Sequence, residues 1–301
     1  MARTGVSPLR IASLIPSATE IAFALGLDEQ VVGVTFECDF PPDPREGRAI
    51  LVGGLDTHGL DASAIDALVR SKVASGELLY TLDEERFRAV DPDVVLTQDL
   101  CRVCALPSGE VEQAMQQLGC RATVLTLDPH SVSEVLDTIM AVGEACSALG
   151  PAQALVANLQ ARIEAVRQDV EGLTRPRVFV LEWPDPPFVA GHWVPELVDI
   201  AGGDAVLAQP GGRSVPTTWA DVAAADPDVV IVASCGFDLE GSLQHAHELA
   251  DQLPERAAVW CIDANGLVVR PGPRLVDGIE TIAALLHGVR SVNPTKAVRF
   301  R

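Results

Sequence analysis

The sequence predicts an α/β protein with two lobes, each built on a parallel sheet, joined by one long helix. Apolar, β-branched runs alternate with helical patterns along the 301 residues, as they do in parallel sheets. A five-residue sequence occurs twice in the same context, and an extended helical stripe lies between the two copies. At roughly 150 residues per domain, the length also fits two lobes.

The predicted elements alternate along most of the chain. The strands are expected at Arg10–Ile15, Val31–Thr35, Val94–Thr97, Thr123–Leu127, Arg177–Leu181, Val229–Ala233 and Val259–Ile262. The helices are expected at Thr19–Leu25, Asp61–Ala74, Glu110–Leu118, Ser133–Leu149, Val194–Ala201, Trp219–Ala225 and Arg274–Leu286.

The repeated sequence is Asp-Pro-Asp-Val-Val, at 91–95 and again at 226–230. Each copy ends a helical pattern and begins an apolar strand. Each strand then leads into a polar loop that contains a cysteine, Cys101 in the first case and Cys235 in the second. A reused Asp-Pro turn would explain five identical residues, but the shared order and context indicate two similar lobes.

A single helix is expected between the lobes, because apolar residues recur there at steps of three and four: Leu155, Leu159, Ile163, Val166, Val170 and Leu173. Pro151 suits a first helical turn, and Pro176 follows the expected end. An ordinary long surface helix is the alternative. The predicted boundaries are 1–150 for an N-terminal lobe, 151–175 for a helical linker and 176–301 for a C-terminal lobe.

Composition excludes several classes of function. The chain has 22 basic and 42 acidic residues, a net charge of −20, whereas a nucleic-acid-binding protein needs a basic face. Its apolar runs are shorter than the roughly 20 residues of a membrane helix. With 48% hydrophobic residues it can bury a core. We therefore expect neither nucleic-acid binding nor membrane insertion.

The N-terminal residues and the cysteines predict a cytoplasmic protein. The first ten residues lead into a strand-like run without the apolar segment and cleavage site of a signal peptide. The first cysteine is Cys38, so no lipid-attachment cysteine lies near the start. Seven cysteines, two of them in a Cys-x-x-Cys pair, favour thiols or a metal site over disulfides.

Several motifs, in order, resemble the class III substrate-binding proteins of ABC importers, the cobalamin- and siderophore-binding group with a helical linker. The motifs are Ile-Ala-Ser-Leu-Ile-Pro-Ser-Ala-Thr-Glu at 11–20 with Leu-Gly at 25–26, both Pro-Asp-Val-Val strands, Pro-Pro-Phe-Val-Ala-Gly at 186–191, Glu-Leu-Val-Asp-Ile-Ala-Gly-Gly at 196–203 and Pro-Arg-Leu at 273–275. The resemblance covers nearly the whole chain. Its Asp-Pro-Pro-Phe sequence at 185–188 looks most like the cobalamin binders, in a branch that appears cytoplasmic.

That resemblance implies two Rossmann-like lobes that hold a ligand in the cleft between them, without catalysis. The implied ligand is cobalamin, a related corrinoid or another small metal chelate, and the implied partner of an exported member is an ABC permease. The chain is accordingly expected not to be an enzyme.

Four cysteines are candidate metal ligands because they follow predicted strands, where open α/β sheets bind ligands: Cys38, Cys101, Cys104 and Cys235. Soft thiolates select zinc or iron–sulfur centres. A redox-active dithiol and small buried thiols remain alternatives. A cysteine-ligated metal or iron–sulfur protein on the same scaffold is therefore the second hypothesis for the whole chain.

A corrinoid site requires aromatic and apolar walls with a few hydrogen-bond donors. In the C-terminal lobe the candidates are Trp183, Phe188, His192, Trp193 and Trp219, and in the N-terminal lobe they are Pro16, Ser17 and Thr19. The imidazole of His192 could also bind cobalt or another metal. For Trp193 the alternative is packing under the next helix, and for the hydroxyls of Ser17 and Thr19 it is helix capping.

Overall fold

The structure, a computed structural model, describes residues 8–100 and 105–301. The chain divides into two compact units. One comprises Met1–Leu60, Ala67–Asp128 and Leu136–Val156, and the other comprises Asp61–Asp66, Pro129–Val135 and Ala157–Arg301. Below they are called the N-terminal unit and the C-terminal unit.

The strands, numbered in chain order, are β1 Ile11–Ser13, β2 Val31–Thr35, β3 Ala49–Gly53, β4 Thr81–Leu82, β5 Val94–Thr97, β6 Thr123–Thr126, β7 Arg177–Pro184, β8 Pro187–Val189, β9 Asp204–Ala205, β10 Val215–Pro216, β11 Val229–Val232, β12 Ala258–Ile262 and β13 Ala297–Arg299. The helices are α1 Pro16–Ala24, α2 Ala62–Ser75, α3 Glu84–Val90, α4 Ser108–Leu118, α5 Val132–Ala145, α6 Leu149–Val170, α7 Val194–Ile200, α8 Trp219–Ala224, α9 Leu239–Glu248, α10 Ala264–Leu267 and α11 Leu275–His287.

Each unit contains one sheet, and the central strands of both sheets are parallel. The N-terminal sheet has the order β4-β3-β2-β1-β5-β6, in which β4 alone pairs antiparallel. The C-terminal sheet has the order β10-β8-β7-β11-β12-β13, with β9 also paired to β7. In it β7, β11 and β12 are parallel, while β8, β10 and β13 are antiparallel. The predicted α/β class is confirmed.

The repeated Asp-Pro-Asp-Val-Val sequence forms the same structure in both units. In the first copy the backbone N–H of Arg10 donates to Asp93 Oδ2 over 2.9 Å, and in the second that of Arg177 donates to Asp228 Oδ2 over 2.8 Å. The first Asp of each copy has φ 41°. Each copy thus ends a helix in a left-handed residue and fixes the register of two central strands.

Strands missed by the sequence analysis lie mainly at or near the sheet edges. β4, β8, β10 and β13 all pair antiparallel to a neighbour. Their two or three residues are too few for a periodic pattern. The linker stripe also extends past its helix, because α6 ends at Val170 although Leu173 continues the apolar spacing.

Candidate functional site

The candidate site residues of the C-terminal unit follow the carboxyl ends of β7 and β11. These strands are neighbours and parallel, so the residues that follow them meet at one edge of the sheet. Trp183 lies at the end of β7, and Cys235 and Phe237 follow β11. Ligands bind at this edge in open α/β sheets.

Three partly buried aromatic rings gather there. The ring centroids of Trp183 and Phe237 lie 6.0 Å apart, and Phe188 faces Trp183 across the β7–β8 pair. Trp183 Nε1 donates to the carbonyl oxygen of Asp185 over 3.1 Å, which fixes the indole. We call Trp183, Phe188 and Phe237 the C-terminal aromatic surface.

A buried histidine packs against the ring of Phe237. The His245 ring meets it edge-on at 4.6 Å, and His245 Nδ1 lies 2.9 Å from Ser234 Oγ. Burial lowers the pKa of His245, so the imidazole is neutral at pH 7. His245 is 5% exposed.

A desolvated carboxylate connects the loops around this surface. Glu182 Oε1 accepts from Ser214 Oγ over 2.6 Å, and Oε2 accepts from the Gly191 N–H over 3.4 Å. Burial raises the pKa of Glu182, and these two hydrogen bonds oppose the shift. The side chain joins β7 to the loops that contain Gly191 and Ser214.

Of the two candidates in the loop at 192–193, Trp193 is buried and His192 is partly exposed. Trp193 is 5% exposed, and its Nε1 donates to the carbonyl oxygen of Val268 over 2.7 Å. This is the packing alternative considered for Trp193. His192 is partly buried, and burial, then His130 and Arg213, lower its pKa. Ligand contact by either residue stays a prediction.

Trp219 begins α8, with Thr218 as the capping residue. The hydroxyl of Thr218 accepts from the backbone N–H of Asp221 over 3.1 Å. The indole packs against the hydrophobic core of the C-terminal unit and remains partly exposed.

In the N-terminal unit, Thr19 and Cys38 belong to one buried polar cluster. Thr19 Oγ1 donates to Ser13 Oγ over 2.8 Å and lies 3.1 Å from Cys38 Sγ. All three side chains are fully buried, Ser17 is 4% exposed and Pro16 is partly exposed. The polar side-chain atoms of Ser13, Thr19 and Cys38 bond to one another, so these three residues contribute primarily to the folding of the strand ends.

A second aromatic group lies at the carboxyl edge of the N-terminal sheet. Phe36 follows β2 and lies 6.4 Å from Tyr80 between ring centroids, and the Tyr80 hydroxyl donates to Glu37 Oε1 over 3.3 Å. Phe40 in the same loop is 38% exposed. We call Phe36, Phe40 and Tyr80 the N-terminal aromatic surface. Neither phenylalanine was among the predicted site residues, although Phe36 directly follows a predicted strand.

The four candidate metal ligands are not seen as one cluster. Cys101 and Cys104 lie outside the described residues. Cys38 belongs to the buried cluster above, and Cys235 is partly buried, with its backbone N–H bonded to the Glu182 carbonyl oxygen. Within 8–100 and 105–301, no group of three or more His, Cys, Asp or Glu side chains is arranged to hold a metal ion.

Known proteins resemble this chain over most of its length. The ABC transporter substrate-binding lipoprotein YvrC of Bacillus subtilis is 26% identical over 93% of this chain and 80% of the relative. The vitamin B12-binding protein of Vibrio cholerae is 24% identical over 92% and 88%. The crystal structure of the heme-binding protein RhuT from Roseiflexus has a TM-score of 0.70 at 23% identity, over 94% of this chain and 99% of that chain.

These relatives overturn the expected cytoplasmic location. Those named above include a lipoprotein, and the matching solved structures include periplasmic vitamin B12- and heme-binding proteins. The expectation was wrong because it relied on the first residues and the thiol chemistry, whereas the similar proteins are named as a lipoprotein and as periplasmic proteins. No helix in the part of the chain that the structure describes has the length and apolarity needed to cross a membrane.

One family model matches the chain over residues 11–264, under the description "Periplasmic binding protein". The match includes both repeated strands and the loops that contain the two aromatic surfaces. Relatives of this kind bind solutes and are not enzymes, so the expectation of binding without catalysis is confirmed. By this match, the chain belongs to the periplasmic binding protein family.

Proposed function

We propose that this chain is the solute-binding protein of an ABC importer and that its solute is a corrinoid or another flat metal chelate. The relatives named as an ABC transporter substrate-binding lipoprotein and as a vitamin B12-binding protein support the proposal. Its partners would then be the small molecule and a membrane permease. The cysteine-ligated zinc or iron–sulfur alternative has no such support among the named relatives.

The observation that carries the ligand class is the C-terminal aromatic surface. The ring centroids of Trp183 and Phe237 lie 6.0 Å apart at the strand ends, with the planes tilted by 51°, and Phe188 pairs with Trp183 across the β7–β8 ladder. Aromatic walls with a few fixed polar groups suit a large conjugated ring with polar edges. The N-terminal aromatic surface offers a similar set of rings in its own unit. We propose that the C-terminal aromatic surface contacts the ligand.

Heme is the competing solute, because solved structures of similar fold include heme-binding proteins. A porphyrin and a corrin are both flat, so stacking alone does not distinguish them. They differ at the rim, where a corrinoid has mainly amides and heme has two carboxylates. The charge of −20 opposes a dianionic rim and favours the amide-rimmed ligand.

The test is to titrate the purified chain with cyanocobalamin and with hemin, following tryptophan fluorescence and the ligand's visible spectrum. We expect saturable binding of one cobalamin and weaker binding of hemin. Hemin that binds more tightly would replace the corrinoid with a porphyrin. The absence of saturable binding to both would overturn the proposal for flat metal chelates.

A further inference from the structure

Two histidines from separate segments meet in the C-terminal unit. The ring centroids of His130 and His192 lie 6.0 Å apart, with the ring planes at 49°. Two imidazoles on one tetrahedral ion, with bonds of about 2.0–2.1 Å, have ring centres roughly 5 Å apart. The pair is therefore within about 1 Å of the spacing that metal binding requires.

The backbone of His192 is fixed in an unusual conformation. Its φ of 53° is in the left-handed region that non-glycine residues rarely adopt. Its N–H donates to the Gly212 carbonyl oxygen over 2.5 Å, and its carbonyl oxygen accepts from the Gly211 N–H over 2.9 Å. A Cβ on Gly191 would lie 2.3 Å from the Ser214 nitrogen, so the loop needs glycine there. With both backbone groups bonded, only the His192 ring is left to interact.

One ring nitrogen of His192 has no protein partner. Its Nδ1 is buried and lacks a hydrogen bond within the described residues. Buried polar atoms in folded proteins are nearly always satisfied, and an exception indicates a bound ion or water. Strained backbone also concentrates at ligand-binding positions. The two observations concern the same residue.

The segment that contains His130 is fixed independently. Glu134 Oε2 accepts from the backbone N–H of His130 over 2.6 Å, and Ser131 Oγ accepts from that of Glu134 over 3.2 Å, so both side chains fix the start of α5. Glu196 Oε2 accepts from the backbone N–H of Val132 over 2.7 Å. The carboxylates of Glu134 and Glu196 thus fix the backbone on both sides of Ser131.

We propose that His130 and His192 together bind a divalent transition-metal ion, of the kind that imidazole suits: Zn²⁺, Ni²⁺ or Cu²⁺. In the described ranges no third protein ligand completes the set. Water or a small chelating molecule therefore occupies the remaining positions. The inference uses no residue of either aromatic surface and does not depend on the proposed solute.

The experiment is equilibrium dialysis of the full chain against Ni²⁺ and Cu²⁺ without cobalamin. A Cys101→Ser/Cys104→Ser background removes the paired thiols as competing ligands. His130→Asn and His192→Asn each delete one imidazole, and asparagine tolerates the left-handed conformation at 192. His58→Asn, an exposed histidine of the other unit, is the matched control.

We expect one equivalent of metal and at least a tenfold loss of affinity in each variant, because even outer-shell partners contribute about 10–100-fold. Copper EPR should show imidazole nitrogen coupling in the parent and lose it in the His130→Asn/His192→Asn double variant. Unchanged affinity in the double variant, or no stoichiometric metal in the parent, would overturn the site. His130 is exposed, so its variant tests the site even if His192→Asn fails to fold.

Discussion

Thr19, a predicted ligand contact, has a hydroxyl that bonds within the protein interior. Its hydroxyl lies between Ser13 Oγ and Cys38 Sγ, where water does not reach. Local sequence placed Thr19 after β1, and the structure has it in the first turn of α1. It could not show which way the hydroxyl points, since that depends on Cys38 after a different strand.

Replacing Thr19 with valine keeps the shape and removes the hydroxyl. We expect Thr19→Val to lower the free energy of unfolding by about 1–3 kcal/mol, because Ser13 and Cys38 lose a buried partner. Urea denaturation measures this loss. Ser75→Ala, at an exposed hydroxyl, should change stability by less than about 0.5 kcal/mol. Equal effects of the two substitutions would contradict the structural role of Thr19.

The buried carboxylate of Glu182 predicts a pH-dependent effect. Its pKa is raised by burial, so the folded state holds the proton more tightly than the unfolded chain. Ionised Glu182 therefore destabilises the folded state. This loss of stability is absent below the ordinary pKa of about 4.5 and develops as the pH rises above it.

Glu182→Gln cannot ionise and avoids this loss. The free energy of unfolding of the variant minus that of the parent should increase between pH 4 and pH 7, because only the parent loses stability as Glu182 ionises. Urea denaturation at both pH values measures the trend. A difference that stays constant, or that decreases toward pH 7, would show that ionised Glu182 does not destabilise the folded state.

The repeated Asp-Pro turn shows how one short sequence organises an element in each unit. Asp93 and Asp228 each accept from a backbone N–H at the start of the neighbouring strand, over 2.9 and 2.8 Å. The repeat was visible in the sequence because the geometry requires those residues: a left-handed aspartate, a proline and a carboxylate that fixes the register.

This equivalence gives a matched pair of variants. Asp93→Ala and Asp228→Ala should each lower the free energy of unfolding by about 1 kcal/mol, the usual size of one hydrogen bond. Asp251→Ala, at an exposed aspartate, is the control and should have little effect. If only one of the two substitutions lowers the free energy of unfolding, the two turns are not energetically equivalent.

A network of ion pairs attaches α6 to α11 in the C-terminal unit. The Arg162 guanidinium donates to both carboxylate oxygens of Glu280, over 3.0 and 2.7 Å, and to Asp277 over 2.5 Å. Arg290 pairs with Asp169 on α6 and with Glu280. Bidentate geometry and shared partners make such a network stronger than isolated surface pairs.

Arg162→Met keeps much of the stem and removes the charge. We expect it to lower the free energy of unfolding by about 1–2 kcal/mol at low salt, with a smaller effect in 1 M NaCl because salt screens the partly exposed pairs. Arg86→Met, at an exposed i,i+3 pair, should cost less than about 0.5 kcal/mol. Urea denaturation at both salt concentrations checks the pattern. A loss of stability that does not depend on salt would show that Arg162 acts through the packing of its stem and not through its charge.

At the scale of the whole molecule, the sequence predicted the α/β class and all seven of the strands that it placed. Those strands pair in parallel, and parallel strands form continuous apolar runs that are easy to recognise. The antiparallel strands β8 and β10, at and next to one sheet edge, were missed, since Pro187 and Pro216 interrupt any alternation. The aromatic residues after β7 were identified, but the inward turn of Trp193 depends on Val268, far along the chain.

We propose that the aromatic rings at the strand ends of the C-terminal unit bind a corrinoid. The dissociation constant for cyanocobalamin should be measured for the parent chain, for Trp183→Leu and for Trp260→Phe, a control in β12 outside both aromatic surfaces. We expect saturable binding that Trp183→Leu weakens by about tenfold or more, about 1.4 kcal/mol, while Trp260→Phe leaves it unchanged. Equal affinities in all three proteins, or no binding of cobalamin, would refute the proposal.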